Sequence, residues 1–302
     1  MIEFREVDVS MWGRAHEETL GTKPKRWLHD PVADEFWLMK DVTFNRRADG
    51  TTYAKGDDWA ERVAGAVAEA LGLPAAVVEL ATGGPGADTS VGVISRSLLS
   101  TDESLVHGNE LLAEIGVSGD DPHDRTGYTL DAVRQVLERV DAPPASELTA
   151  WETFVGFLVL DALVGNTDRH QENWAVIARG GDRRLAPTFD HASSLGFQLD
   201  DEQRSERLST ADANRTPEAY AGKARTRFEG SPPPLAVAVD GLATLAPEKR
   251  DHWFDRSADV EKLLAPLGRV PAGRISESAR SFAARLLQAN HSQLMSHRVG
   301  TV

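Results

Sequence analysis

The chain has 302 residues, 41% of them hydrophobic, with no cysteine and a formal net charge of -14. That length and apolar share suffice for a substantial core, in one bilobal unit or two domains. The missing cysteines exclude disulfides, thiolate zinc sites and cysteine nucleophiles, and the acidic balance argues against non-specific binding to nucleic acid, which draws on Lys and Arg against phosphates. No run of about 18 apolar residues is long enough to span a bilayer. Charges at Glu3, Arg5 and Glu6 fall where a secretory signal carries its apolar segment. Neither membrane nor nucleic acid is therefore expected as a partner, and the expected location is the cytoplasm.

The first predicted element is an edge strand over residues 2–9, where Ile2, Phe4, Val7 and Val9 alternate imperfectly with charged neighbours. After a polar stretch, Gly21, Thr22, Lys23, Lys25 and Arg26 bring a glycine, backbone donors and three cations ahead of an apolar strand at 36–40. Such a loop suits phosphate, although Pro24 removes one donor, and it matches neither the Walker motif nor the glycine-rich loop of eukaryotic kinases. Lys40 ends the strand and places an ammonium at its mouth. A helix is predicted over 59–71, capped by Asp57 or Asp58, with Glu61 in its first turns and Gly72 and Pro74 ending it. Strands at 76–80 and 91–95 follow. The segment Val106, His107, Gly108, Asn109, Glu110 reads as a turn and helix start, and a second amphipathic helix is predicted over 130–140.

The most informative stretch runs from Glu147 to Gly196. Thr149 and Glu152 fit a capping box, and the apolar residues between Trp151 and Val164 nearly encircle the helix that follows, which makes it a buried one. Gly165 stands where a left-handed cap would end it, so Asn166 to Asn173 leave a rigid core helix as a loop. Two apolar runs, 174–178 and 185–189, flank the polar, glycine-containing stretch 179–184 and predict a β-hairpin. Its open ends would set Asn173 beside Asp190, where an amide oxygen and a carboxylate suit one hard cation, Mg²⁺ above all. Asp168 is then free to act as a base. Beyond this hairpin, residues 199–229 are rich in charge and are predicted as a long exposed segment. Its Lys223, Arg225 and Arg227 each read as solvated, and together are candidates to hold a phosphate or an acidic acceptor. Helices are predicted over 235–245, from Pro247, over 260–264 and over 276–297.

The order Asp168-Arg169-His170-Gln171-Glu172-Asn173, then Asp190, resembles the catalytic loop and metal-binding aspartate of kinases. With Gly165-Asn166-Thr167 before it and Ala186-Pro187-Thr188-Phe189 leading to Asp190, the stretch is similar to the HipA-like bacterial serine/threonine kinases. Its Asp-Arg-His-x-x-Asn form is also the signature of phosphatidylinositol kinases. The resemblance implies an α+β, bilobal protein-kinase-like fold, with a small β-rich N-lobe at residues 1–95 and a larger, mainly helical C-lobe at 96–302. It also implies ATP and Mg²⁺ as cofactors and a protein Ser or Thr hydroxyl as acceptor. Asp168 would be the catalytic base, His170 would support its loop, and Asn173 and Asp190 would bind the metal.

Gly21, Thr22, Lys23 and Lys25 would form the phosphate loop, with self-phosphorylation at Thr19 or Thr22. Lys40, paired with Glu61 or with its competitor Glu69 on the same helix, would grip the α- and β-phosphates, and the backbone of Val93, Ile94 and Ser95 would meet the adenine edge. Better-known members carry an extra N-terminal region that helps dock a DNA-binding antitoxin, whereas here the phosphate loop lies about twenty residues from Met1. The resemblance is thus to a compact form, and an antitoxin-like partner stays open without support. Two other readings also stay open: a kinase for a lipid head group or small molecule, and a nucleotide-binding pseudokinase.

Overall fold

The computed structural model describes residues 2–18, 25–84, 89–117, 124–144 and 146–299. Its N-terminal part is β-rich: β1 (Glu6–Asp8), β2 (Gly13–Glu18), β3 (Lys25–Asp30), β4 (Glu35–Asp41), β5 (Phe44–Arg46), β6 (Thr52–Ala54), helix α1 (Asp57–Leu71), β7 (Val78–Thr82) and β8 (Val91–Arg96). Six of these strands form one sheet in the order β1-β7-β8-β4-β3-β2, and β5 and β6 pair separately. The expected edge strand is there, running parallel to β7, while the neighbours along the rest of the sheet are antiparallel. One face packs on α1. The other buries Val7, Val9, Leu28, Trp37, Met39, Ala81 and Ile94 together. Helix α1 begins after Gly56, so Asp57 and Asp58, expected as caps, lie within its first turn instead, and it ends as expected at Gly72, which is left-handed with φ 75°.

Next come β9 (Ser104–His107), α2 (Gly108–Ala113), α3 (Leu130–Leu137), α4 (Ala150–Val164), and the hairpin β10 (Ala175–Arg179) and β11 (Asp182–Leu185). Strand β9 was not foreseen: Ser104 to His107 pair with Ala175 to Ala178, so β9, β10 and β11 make a small sheet of their own. The hairpin is tighter than predicted. Arg179 pairs with Asp182 across a turn of Gly180 and Gly181, the two-residue connection that antiparallel strands favour. Arg183 and Arg184 belong to an edge strand and pair with Glu114 and Glu103, and that polarity disguised the strand as loop. Residues 186–189 are then the path from strand to site, not the strand itself.

Helices α5 (Asp201–Ser209) and α6 (Pro217–Gly222) occupy the segment expected to be long and exposed. Caps at Asp200 and Thr216 and a buried Arg204, rather than an apolar stripe, hold them. A helix of that kind lacks the period by which amphipathic helices are recognised. The chain ends in α7 (Pro234–Ala243), α8 (Pro247–Ser257), α9 (Val260–Leu264), a 3₁₀ turn (Ala265–Arg269) and α10 (Glu277–Val299). No helix among the described residues is long and apolar enough to cross a membrane.

Helix α4 is the axis of the helical part. All its residues but Glu152 are buried, and one continuous apolar core joins it to α1, α3, α7, α8 and α10. Its N-terminus carries the full capping box: Glu152 N–H donates to Thr149 Oγ1 at 3.1 Å, and Thr149 N–H to Glu152 Oε2 at 2.8 Å. Gly165 ends it at φ 66°, a conformation open to glycine at little cost. The helix therefore delivers the loop that follows from a fixed point.

Candidate active site

The loop leaving α4 is held by buried polar groups. Asp161, in the last turn of the helix, takes Arg169 in a two-pronged ion pair, Nε to Oδ2 and Nη2 to Oδ1, each 2.7 Å. Both side chains are buried, so each charge needs the other. Asp161 Oδ1 also accepts from Asn166 Nδ2 at 2.8 Å, and the third arm of Arg169 donates to the Asn173 carbonyl at 2.8 Å. Asn173 Nδ2 closes the loop on the Asp168 carbonyl at 2.7 Å, and Asn166 Oδ1 accepts from Asp168 N–H at 3.0 Å. Start and end of the predicted catalytic loop are thus tied to one helix carboxylate.

A second set of bonds supports the loop from outside. His107 Nδ1 lies 2.8 Å from the Glu172 carbonyl, Gly108 N–H donates to Trp174 and Asn109 N–H to Gln171. Gly108 sits so close that a Cβ there would fall 2.2 Å from the Trp174 ring. The segment read only as a helix start is thus also a clamp, and its capping box of His107 and Glu110 is present. Tyr128, buried and stacked on Phe228 at 4.4 Å, donates to the Arg169 carbonyl at 3.1 Å. Burial pushes the His170 ring below the ordinary histidine range despite the pull of Asp168 and Glu172, so it is neutral near pH 7.

Opposite the loop stands a cluster of charge. The register of β3 and β4 sets Lys25 directly across from Lys40, and like charges in that relation repel. Asp190 stands against both: Oδ1 is 2.9 Å from Lys40 Nζ and Oδ2 is 3.9 Å from Lys25 Nζ. Its backbone is left-handed, with φ 58°, uncommon for any residue but glycine. Lys40 is deeply placed, and burial would push its pKa down, but Asp190 and then Glu61 outweigh that, and the ammonium is held above its ordinary value.

Glu61 is buried. Desolvation would raise its carboxyl, yet Lys40 holds it below the usual range. The ion pair that Lys40 makes is with Asp190, whereas Glu61 Oε1 lies 3.7 Å from His191 Nδ1, too long for a hydrogen bond. His191 Nε2 meets Thr188 Oγ1 at 2.7 Å, while its Nδ1 and Glu61 Oε2 are buried with no hydrogen-bond partner among the described residues.

The structure thus gathers Lys25, Lys40, Glu61 and Asp190 in one cluster and Asp168, His170 and Asn173 in one loop. Gly21, Thr22 and Lys23, like Thr19, lie outside the described residues. Lys25 and Arg26 are on a strand, not in a loop. Val93, Ile94 and Ser95 correct an expectation: β8 is an interior strand paired with β4 on one side and β7 on the other. Its peptide groups are taken up by those ladders and are not available to an adenine edge. Apolar side chains close by are: Val78 and Val93 on one side and Ile177 and Ala186 on the other both pack on the half-buried Leu98 and Phe189. The carboxylate of Asp168 accepts from Arg227 Nε at 2.8 Å and from Ser193 Oγ at 3.5 Å.

The chain matches the HipA-like C-terminal domain family over residues 18–239, which is most of its length. It belongs to that family. Among solved structures it is similar to the Helicobacter pylori proinflammatory kinase CtkA, with a TM-score of 0.74 at 19% identity over 99% of both chains. It is also similar to the Shewanella oneidensis HipA in its complex with HipB and operator DNA, with a TM-score of 0.54 at 13% identity over 95% of this chain and 66% of that one. No curated protein matches it in sequence. The mixed fold, a β-rich N-terminal sheet with a helical C-terminal part, is that of a HipA-like kinase.

Several site residues escaped sequence reasoning. Asp161 had a signal, since it is the lone charge in the apolar run from Thr153 to Val164, and a buried charge implies a partner. His191 had none, and Arg227, expected only as one of three basic candidates for a phosphate or acidic acceptor, meets Asp168 through the tertiary fold alone.

Proposed function

We propose that the protein is an ATP- and Mg²⁺-dependent phosphotransferase acting on a protein Ser or Thr hydroxyl. The observation that carries this reading is the cross-strand pair Lys25 and Lys40 facing Asp190, with the Asp168 loop alongside. Two ammonium groups share the single Asp190 carboxylate, and with that carboxylate taken up by a metal both would turn toward a polyphosphate. Two ammonium groups presented side by side favour a nucleotide over a neutral ligand. Leu98 and Phe189 offer the base an apolar seat.

The residues present fit a magnesium ion. Asn173 spends its amide nitrogen on the Asp168 carbonyl, which leaves Oδ1 without a hydrogen-bond partner among the described residues, and Asp190 adds a carboxylate. An amide oxygen and a carboxylate, completed by phosphate and water, are the donors Mg²⁺ favours. When bound there, the ion would supply charge neutralisation to the phosphates. Lys40, displaced from Asp190, would turn to the phosphates and to Glu61, whose Oε2 is buried with no hydrogen-bond partner among the described residues.

Asp168 orients the acceptor hydroxyl and takes its proton as the new oxygen–phosphorus bond forms. The bond between the γ-phosphorus and its bridging oxygen breaks, and the electron pair leaves with ADP. His170, neutral and tucked under the loop, keeps the Asp168 backbone in place through its N–H bond to the Asp168 carbonyl at 2.8 Å.

The test is transfer of label from γ-labelled Mg-ATP to protein, comparing the wild type with Asp168→Ala and Asp190→Ala. Both variants should fold normally and lose most of the label. Wild-type turnover in either would contradict the assigned roles.

A further inference from the structure

The ion pair between Arg227 and Asp168 is not explained by anything above. The catalytic loop's own guanidinium does not reach a transferring phosphoryl group: Arg169 is buried and engaged on three sides. Among the described residues, Arg227 is the only guanidinium that reaches the Asp168 carboxylate. It comes from a segment 59 residues away in sequence.

That segment is firmly mounted. Thr226, immediately before, is buried and bonds the Pro232 carbonyl through both N–H and hydroxyl, each at 2.9 Å. Phe228, immediately after, is buried against Tyr128 at a 9° interplanar angle, and Glu229 N–H donates to the Tyr128 carbonyl. The same Tyr128 holds the loop through the Arg169 carbonyl. One aromatic stack therefore fixes the distance between the Arg227 backbone and the catalytic loop, while the guanidinium, 40% exposed, stays free to turn. Its neighbours in sequence do not share this placement: Lys223 and Arg225 spend their charge on nearby carbonyls.

We propose that Arg227 is a catalytic residue for phosphoryl transfer, an arginine supplied in cis that moves from Asp168 to the γ-phosphoryl oxygens as the transition state forms. Charge builds on those equatorial oxygens while Asp168 accepts the acceptor's proton, so one short swing of the guanidinium stabilises the first and frees the second. In the absence of nucleotide the same contact keeps Asp168 covered. The inference rests on the kinase reading above, and the experiment separates the two.

Calorimetry on the full chain would compare Mg·ADP with Mg·ADP·aluminium fluoride, a mimic of the transferring group, for the wild type, Arg227→Gln and Arg227→Lys, with melting temperature as the check on folding. The expected result is a loss of about 1,000-fold in affinity for the fluoride complex in Arg227→Gln, the low end of what such arginines contribute to rate. Affinity for Mg·ADP should change by less than about twofold, and Arg227→Lys should fall between, keeping the charge but not the fork. Equal weakening of both ligands, or of neither, would overturn the role of Arg227 and leave the kinase reading intact. A wild type that binds neither would overturn both. Faster label transfer by Arg227→Gln than by the wild type would also overturn the proposal, because it would make the contact purely inhibitory.

Discussion

Two polar regions face each other across the site, and they are built on opposite terms. In the catalytic loop, Asp161, Asn166, Arg169 and Asn173 answer one another, and the buried ion pair is complete. In the cluster around Lys40, two like charges lie across a strand pair, Asp190 faces both, and Glu61 Oε2 and His191 Nδ1 are buried without hydrogen bonds among the described residues. Buried polar groups are nearly always paired in native proteins. The first region is therefore scaffold, finished when the chain folds, and we read the second as the binding surface of the proposed nucleotide.

The contrast can be broken at its strong side first. Arg169→Ala would leave Asp161 as a bare buried carboxylate, and should cost about 3–5 kcal/mol of stability. Denaturant titration checks this, and a loss under about 1 kcal/mol would mean the loop does not depend on the pair. On the other side, Lys40→Ala should cost less stability than Arg169→Ala, since Asp190, its ion-pair partner, is the carboxylate we assign to the metal. Losing a charge-assisted contact of about 1.5–3 kcal/mol should weaken Mg·ADP binding by roughly 10–100-fold. If Lys40→Ala unfolds the protein as readily as Arg169→Ala does, the two regions are not different in kind.

The smallest effect concerns a third buried charge that belongs to neither region. Asp58, at the start of α1, lies 3.2 Å from Arg274, which also holds Glu6 at 3.0 Å. Burial pushes its carboxyl up to about 6 from an ordinary 3.8, against the pull of Arg274. A carboxyl whose folded value is raised favours the fold when protonated. Its contribution is full below its ordinary value and is lost as pH rises through about 6. Asp58→Asn, neutral at every pH, should therefore gain on the wild type between pH 4.5 and 7.5, by on the order of 2 kcal/mol. A difference that does not vary with pH would show Asp58 to be ionised throughout, with Arg274 as a full partner.

How much of this was legible in the sequence follows the same division. Helix α4, its capping box, Gly165 and the loop residues Asp168 and Asn173 are encoded within one short stretch. There, periodicity, caps and loop spacing report directly on structure. The hairpin was legible as a hairpin but not in register, because charged residues on an edge strand look like loop. The cluster around Lys40 was legible only in part. That Lys25 stands across from Lys40 depends on the register of β3 and β4, and that Asp190 reaches both depends on how the hairpin's exit packs against the sheet. Arg227 and His191 are joined to Asp168 and Glu61 by tertiary packing alone, which no local pattern encodes. The backbone of Val93 to Ser95 was misjudged for a related reason: a strand's sequence says that it is apolar, not how many neighbours its peptide groups already serve.

The central claim is that Asp190, held by lysines in this structure, exchanges them for a metal-bound nucleotide. The most direct test is calorimetric titration of the wild type and Asp190→Ala with ADP, once with Mg²⁺ and once with a chelator. The account predicts that Mg²⁺ tightens wild-type binding at least about tenfold, and that Asp190→Ala binds ADP with no such gain. Equal affinity with and without the metal in the wild type, or an undiminished gain in the variant, would contradict it.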